Sequence, residues 1–211
     1  ILFLFSIMAN QKKEYKKPNK WAAFWLRDAI TYINHHAGVK LNIVYKADIP
    51  HEKYLLVCNH RSKFDPMILA EKYAGEELAF ISKPSNFKIP IGHRFMVGAC
   101  YLAVDRQDKL QSLEVMKKAS ELIASDSTSV GVFPEGTRSD SLEMGPFHEG
   151  VFSIAKRSNC PIVISSFMGT ENIHKNFPKR RTKITLQILE VLYPSDYKGM
   201  TRSEEHTSEL Q

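Results

Sequence analysis

Short apolar runs that alternate with segments of helical period predict an α/β fold, a single domain with a mixed, mostly parallel sheet flanked by helices. Two further observations agree. Polar, chemistry-bearing stretches follow directly on predicted strand ends, where open sheets bind ligands beyond their carboxyl edges. No period of about 20 to 50 residues recurs, which excludes a solenoid.

Residues 1–17 begin with the nearly continuous apolar run Ile1 to Ala9 and pass into Lys12, Lys13, Lys16 and Lys17. Crossing a bilayer takes about 20 apolar residues, so this run alone is too short. Two readings stand: the tail of a membrane anchor whose basic flank marks the cytoplasmic side, or a truncated signal sequence or stray apolar end. The domain proper is expected over 18–201. Residues 202–211, from Arg202 to Gln211, have no apolar periodicity and read as the translation of a sequencing adapter, outside the fold. With Ile rather than Met at position 1, the sequence reads as a fragment open at both ends.

Pro18 is expected to open a helix that runs to about His36 and stops at Gly38. Trp21 and Trp25 lie one turn apart on it, with Lys20 and Arg27 nearby. That pattern suits an amphipathic, membrane-associated helix at a bilayer interface, and equally a helix covering the core. Leu41 to Lys46 alternates as a strand, and Asp48 to His51 turns the chain into a second, the apolar run Tyr54 to Cys58. A helix starts at Pro66 and breaks at Gly75. Leu78 to Ile81 reads as a strand, as does Ala99 to Val104. Helical spacing of Leu110, Leu113, Met116, Ala119, Leu122 and Ile123 places a helix over 108–125. Ser129 to Phe133 and Pro161 to Ser165 read as strands with a helix at 150–158 between them, and a last strand covers Lys183 to Leu192.

Composition bounds the function. The 211 residues are 43% hydrophobic and 25% charged, as in a globular protein. The net charge is +6, and becomes +8 without residues 202–211, which hold one arginine against three glutamates. A basic balance leaves nucleic acid, anionic membranes and phosphorylated small substrates open. Nucleic acid is the weakest of these options, because the basic residues are scattered and no aromatic platform or recognition-helix signature is present. Cys58, Cys100 and Cys160 each sit in an apolar run, without metal-ligand spacing, and read as buried thiols in a reducing compartment.

The stretch Asn59-His60-Arg61-Ser62-Lys63-Phe64-Asp65-Pro66 occupies a strand-to-helix turn. Imidazole can take a proton from a hydroxyl, and a carboxylate beside it fixes the tautomer and stabilises the imidazolium. On a continuous helix the five-residue spacing of His60 and Asp65 would leave the side chains about 140° apart, so they can meet only across a turn. Residue types alone also fit a structural reading, with Asp65 as N-cap and Pro66 at the first helical position. Ser62 suggests a serine hydrolase, but no Gly-x-Ser-x-Gly elbow is present.

The second informative stretch is Phe133-Pro134-Glu135-Gly136-Thr137-Arg138-Ser139. Gly136 would let backbone amides approach a ligand, Arg138 offers a planar fork to a phosphate, and Thr137 adds a hydroxyl. Alone, the stretch fits a surface turn with a solvated arginine as well.

Taken together, Asn59-His60 through Asp65, Asp105-Arg106, Phe133 through Arg138 and the strand Cys160-Pro161-Ile162-Val163 stand in the order and approximate spacing of the four motifs of the glycerolipid acyltransferase family. From about Trp21 to Leu192 the chain resembles its bacterial 1-acylglycerol-3-phosphate acyltransferases. The resemblance implies the glycerolipid acyltransferase fold, with His60 as general base and Asp65 as its orienting partner. Arg138 would hold the acceptor phosphate with Glu135 and Gly136, beside Thr137. Lys83 and Arg106 would be further ligands for that anion, and Asn59, Arg61 and Ser62 would line the acceptor side.

It implies no metal or prosthetic group, with acyl-CoA or acyl carrier protein as co-substrate. The expected partners are lysophosphatidic acid and a membrane phospholipid surface, at the cytoplasmic face. Where family members often carry a lysine after the phenylalanine downstream of the third motif, this chain has His148 after Phe147, which alters the charge near the pocket entrance. Two other readings follow from the same residues: an acyltransferase for glycerol-3-phosphate or another lysolipid, and a membrane lipid-binding protein without catalysis.

Overall fold

In the computed structural model, residues 15–73, 78–89, 92–138 and 145–198 are described. The apolar run 1–9 and the stretch 202–211 lie outside them, as does Gly75. Helix α1, Lys20–His36, begins where Asn19 Oδ1 accepts the Trp21 and Ala22 amides at 3.0 and 3.1 Å. Asn19 therefore caps the helix, one residue after the expected start at Pro18. Ala37 and Gly38, at φ +70°, turn the chain out of it into strand β1, Val39–Tyr45.

Next come β2, Leu55–Cys58, and α2, Asp65–Lys72, then β3, Leu78–Ser82, and α3, Gly92–Gly98. The apolar run 99–104 was expected to be one strand, yet only β4, Leu102–Ala103, is extended. Cys100, at φ +62°, ends α3, with its amide on the Val97 carbonyl and the Tyr101 amide on the Met96 carbonyl. Helix-terminating bonds claim the first half of that run. Helix α4, Lys109–Ala124, is capped by Asp108 Oδ1 on the Gln111 amide. Strand β5, Ser129–Val132, α5, Ser153–Ser158, β6, Ile162–Met168, α6, Ile173–Asn176, β7, Thr182–Leu192, and α7, Pro194–Tyr197, complete the chain.

The seven strands form one sheet in the order β1-β7-β6-β2-β5-β3-β4. Every neighbouring pair is parallel except β6 and β7, so the expected mixed, mostly parallel α/β sheet is observed. All four residues of β2 and of β5 are buried, as central parallel strands covered on both faces require. Leu55, Val57, Val130, Val132 and Ile162 pack against α4 and α5 on one face. Leu56, Val163, Ile184, Leu186 and Ile188 pack with Ile68 and Leu69 of α2 on the other. Cys58, Cys100 and Cys160 are buried thiols outside any disulfide among the described residues. Among the described residues no helix is long and apolar enough to cross a membrane.

Candidate active site

The C-terminal ends of β2, β5, β3 and β4 share one edge of the sheet, and the two polar stretches leave the buried strands β2 and β5 there. His60 and Asp65 meet across the turn after β2: Nδ1 lies 3.0 Å from Oδ2. The same Oδ2 accepts the Arg61 and Ser62 amides at 2.7 Å each. Asp65 is fully buried and the His60 side chain is 19% exposed, so the acid is locked away while the imidazole reaches the surface. With Oδ2 acting as acceptor throughout, Nδ1 carries the proton and donates it, which leaves Nε2 with an open lone pair.

The side chains of His60 and Asp65 meet across the turn as expected, whereas the alternative reading of Asp65 as the cap of α2 does not hold. Phe64 occupies the cap position, and no side chain caps the helix. Asp65 is the first helical residue, and its carboxylate turns back onto the preceding turn, where two amides and an imidazole offer more than the helix start does.

The turn is fixed to both neighbouring strands. Asn59 Oδ1 accepts the Phe167 amide at 2.7 Å and its Nδ2 donates to the Phe167 carbonyl at 3.1 Å, clasping the turn to β6. Glu135, buried after β5, accepts the His60 amide at 2.7 Å on Oε1 and the Gly145 amide at 3.0 Å on Oε2. The imidazole stacks on Phe133 with centroids 4.2 Å apart, and Phe133 stacks on Phe80 at 6.0 Å. Asn59 and Glu135 therefore spend their polar groups holding His60 in place. Ser62 is buried with Oγ accepting the Phe64 amide, and Arg61 Nε lies 3.3 Å from Glu171 Oε2. Expected as ligands, Asn59, Glu135 and Ser62 have polar atoms engaged inside the protein, and Arg61 faces the Glu171 carboxylate.

Lys83, Arg106 and Arg138 follow the adjacent strands β3, β4 and β5 at the same edge, each exposed, with Thr137 exposed beside Arg138. Gly136, at φ +69°, sits under two of their neighbours: a Cβ there would lie 2.8 Å from the His148 ring and 3.5 Å from the Arg106 guanidinium carbon. Partial burial pulls the Arg106 guanidinium below its ordinary range, and arginine remains a cation throughout. None of these cations pairs with a described carboxylate. A histidine paired with a buried carboxylate and a rim of exposed cations thus share one edge of the sheet.

Two features escaped sequence reading. Glu171, partner of Arg61, carries no motif signal. A cavity of about 260 Å³ lies under α1, lined by Phe24, Leu26, Ile30, Tyr73, Leu78 and Tyr101. Leu78 and Tyr101 stand at the starts of β3 and β4, so this cavity is at the edge of the sheet opposite His60. Among the described residues no cluster has the makings of a metal site.

A histidine held by a buried carboxylate, with the neighbouring Ser62 hydroxyl turned onto the Phe64 amide, suits general-base chemistry. The acyltransferase family profile matches residues 40–166, which include both polar stretches, and the chain belongs to that family. A chloroplast 1-acyl-sn-glycerol-3-phosphate acyltransferase of Brassica napus is 33% identical over 145 residues, 65% of this chain and 41% of that one. The human 1-acyl-sn-glycerol-3-phosphate acyltransferase beta is 30% identical over 153 residues, 71% of this chain and 53% of that one. The chain thus spans about half the length of the curated relatives it matches. The crystal structure of the 1-acyl-sn-glycerophosphate (LPA) acyltransferase PlsC from Thermotoga maritima shares the fold, with a TM-score of 0.65 at 22% identity over 99% of this chain and 81% of that one.

Proposed function

We propose that this protein transfers a fatty acyl group from acyl-CoA or acyl carrier protein to the free hydroxyl of lysophosphatidic acid, giving phosphatidic acid. The observation that carries the proposal is the buried Asp65 carboxylate on His60 Nδ1, which leaves Nε2 basic at an edge rimmed by Lys83, Arg106 and Arg138. The names of the relatives supply the acceptor: a lysolipid bearing a phosphate, whose charge suits those cations.

In the reaction, Nε2 takes the hydroxyl proton as the hydroxyl oxygen attacks the thioester carbonyl. The tetrahedral intermediate collapses with cleavage of the carbon–sulfur bond, and the departing thiolate recovers the proton from the imidazolium. Asp65 stabilises that imidazolium and fixes its orientation, and a positioned base of this kind contributes about 10² to 10⁴ in rate. Positioning of the acceptor by its phosphate supplies more. No step calls for a metal or prosthetic group. The acceptor's acyl chain belongs to a bilayer, so the protein works at a membrane surface, on the cytoplasmic face where acyl donors are found.

The test is release of free thiol from acyl-CoA with and without lysophosphatidic acid. Acceptor-dependent release, lost in His60→Ala, is the expected result. Release independent of any acceptor would make the protein a thioesterase, and a panel of phosphorylated acceptors would expose a preference for another one.

A further inference from the structure

Between β6 and β7 the chain carries charge for which the reaction has no use. From His174 to Lys183 it holds Lys175, Lys179, Arg180, Arg181 and Lys183 and no carboxylate. All five are exposed, and none forms an ion pair with a described residue. Lys40 adds a sixth cation, standing in register with Lys183 on the parallel pair β1 and β7. One lysine on an edge strand is ordinary protection against stray pairing. Five cations within ten residues, with a sixth in register beside them, concentrate positive charge in this part of the molecule. In their midst Phe177 is 53% exposed.

The location matters as much as the charge. Strand β6 runs parallel to β2 and β7 returns antiparallel, so residues 174–181 lie beyond the same edge of the sheet as His60, with Lys183 in the first residues of β7. The segment is anchored at both ends. Glu171, just before it, pairs with Arg61 of the catalytic turn. At its other end the Thr182 amide bonds the Gly38 carbonyl at 2.9 Å, and a Cβ on Gly38 would lie 3.3 Å from the Arg181 Cα. Gly38 closes α1, whose last turns expose Tyr32 at 64% and Ile33 at 44%.

We propose that residues 174–183, together with Lys40, form a docking surface for an anionic lipid bilayer that sets the catalytic edge of the sheet against the membrane. Cations interspersed with protruding Phe177, and continued by Tyr32 and Ile33, suit a fluid anionic surface. Such a surface rewards charge density and shallow apolar insertion and asks for no fixed pairing. The proposed function enters only through the choice of acceptor in the activity measurement below; vesicle binding is independent of it.

The experiment is flotation of the protein with phosphatidylcholine vesicles, with and without added phosphatidylglycerol, at low and high salt. The wild type should float with the anionic vesicles and lose them as salt rises. The variant Lys175→Gln/Lys179→Gln/Arg180→Gln leaves Arg181, which packs on Gly38, untouched. Its partition should fall roughly fivefold for each cation removed, about a hundredfold in all. Phe177→Ser, which disturbs no charge, should weaken partition by a smaller factor at every salt concentration. Activity on lysophosphatidic acid embedded in anionic vesicles should fall with partition, while activity on a short-chain acceptor in solution stays at the wild-type level.

Equal flotation of the wild type with neutral and anionic vesicles would overturn the proposal, as would unchanged partition of the triple variant. So would an equal loss of activity on the soluble acceptor, which would make the segment part of the active-site wall. Unchanged flotation with lower turnover of acylated carrier protein alone would assign the surface to that acidic protein instead. A wild type inactive on every acceptor would sink the proposed function and leave the flotation result standing.

Discussion

Asp65 Oδ2 lies 3.0 Å from His60 Nδ1 while accepting the amides of Arg61 and Ser62 at 2.7 Å, so one buried oxygen holds the imidazole and the backbone that carries it. Replacing Asp65 by Asn puts an amide where that oxygen must accept three times. The expected outcome is a fall in kcat of about 10² to 10⁴ with little change in KM, because the imidazole loses both its tautomer and its counter-charge. The buried amide donors left short of an acceptor should cost about 1 to 3 kcal/mol as well. Steady-state kinetics beside urea denaturation separate the two, and an unchanged kcat would remove Asp65 from the mechanism.

Asn59→Ala tests the clasp between the catalytic turn and β6. Both bonds to Phe167 vanish, and each buried backbone group left unpaired costs about 1 to 3 kcal/mol. A lower urea midpoint is expected with an unchanged slope. Because Asn59 acts through the placement of His60, kcat should fall while the KM values for both substrates hold.

At Gly136 conformation and crowding can be told apart. Gly136→Ala meets the His148 ring and also forces a side chain onto a backbone at φ +69°. About 1 kcal/mol is expected from the backbone alone. Adding His148→Ala should recover the steric share and none of the backbone share, and a double-mutant cycle by thermal denaturation reads the difference.

Arg106→Ala and Arg138→Ala should each raise KM for a phosphorylated acceptor by about 10- to 100-fold, the range lost with a charge-assisted hydrogen bond. An acceptor of the same shape without phosphate should show neither effect. Equal KM values for wild type and variants would take the cations out of the binding site.

Burial pushes the Cys58 and Cys160 thiols up, Cys58 most of all. In the unfolded chain a thiol ionises near 8.5, whereas the native thiols stay protonated there. The unfolded state then binds fewer protons, so stability should decline as pH rises above about 8.5, by up to about 1.4 kcal/mol per pH unit per thiol. Iodoacetamide at pH 8 should label neither thiol in the native protein and both in urea.

The position of the catalytic turn was legible because its signals are local: a buried apolar run, a polar stretch, then Pro66 and a helical pattern. The meeting of Asp65 with His60 was legible too, because their spacing allows contact only across a turn; the amides of Arg61 and Ser62 on the same oxygen were not, since they converge only once the turn is folded. The engagements of Asn59 and Glu135 depend on β2 lying between β6 and β5, an adjacency that no local pattern encodes. The shortened β4 has a similar cause. Gly98 lets α3 approach α1 so closely that a Cβ would lie 2.5 Å from that of Ala22, and the bonds that end α3 there take up residues read as strand. Elements set by periodicity, such as α4 and β7, agree with expectation to within a residue or two.

The parallel pairing of β1 with β7 places an order on biosynthesis. Val39 through Tyr45 emerge early from the ribosome, but their strand partner among the described residues, Thr182 through Ile188, is among the last parts of the domain to be translated. Until then β1 has no strand beside it among the described residues, while Asn19 at the start of α1 bonds Gly98 and Asn34 near its end bonds Glu71 of α2. The arrival of β7 closes the sheet and brings the basic segment to Gly38 in the same event, so in a nascent chain the His60–Asp65 turn is translated well before that segment is held in place.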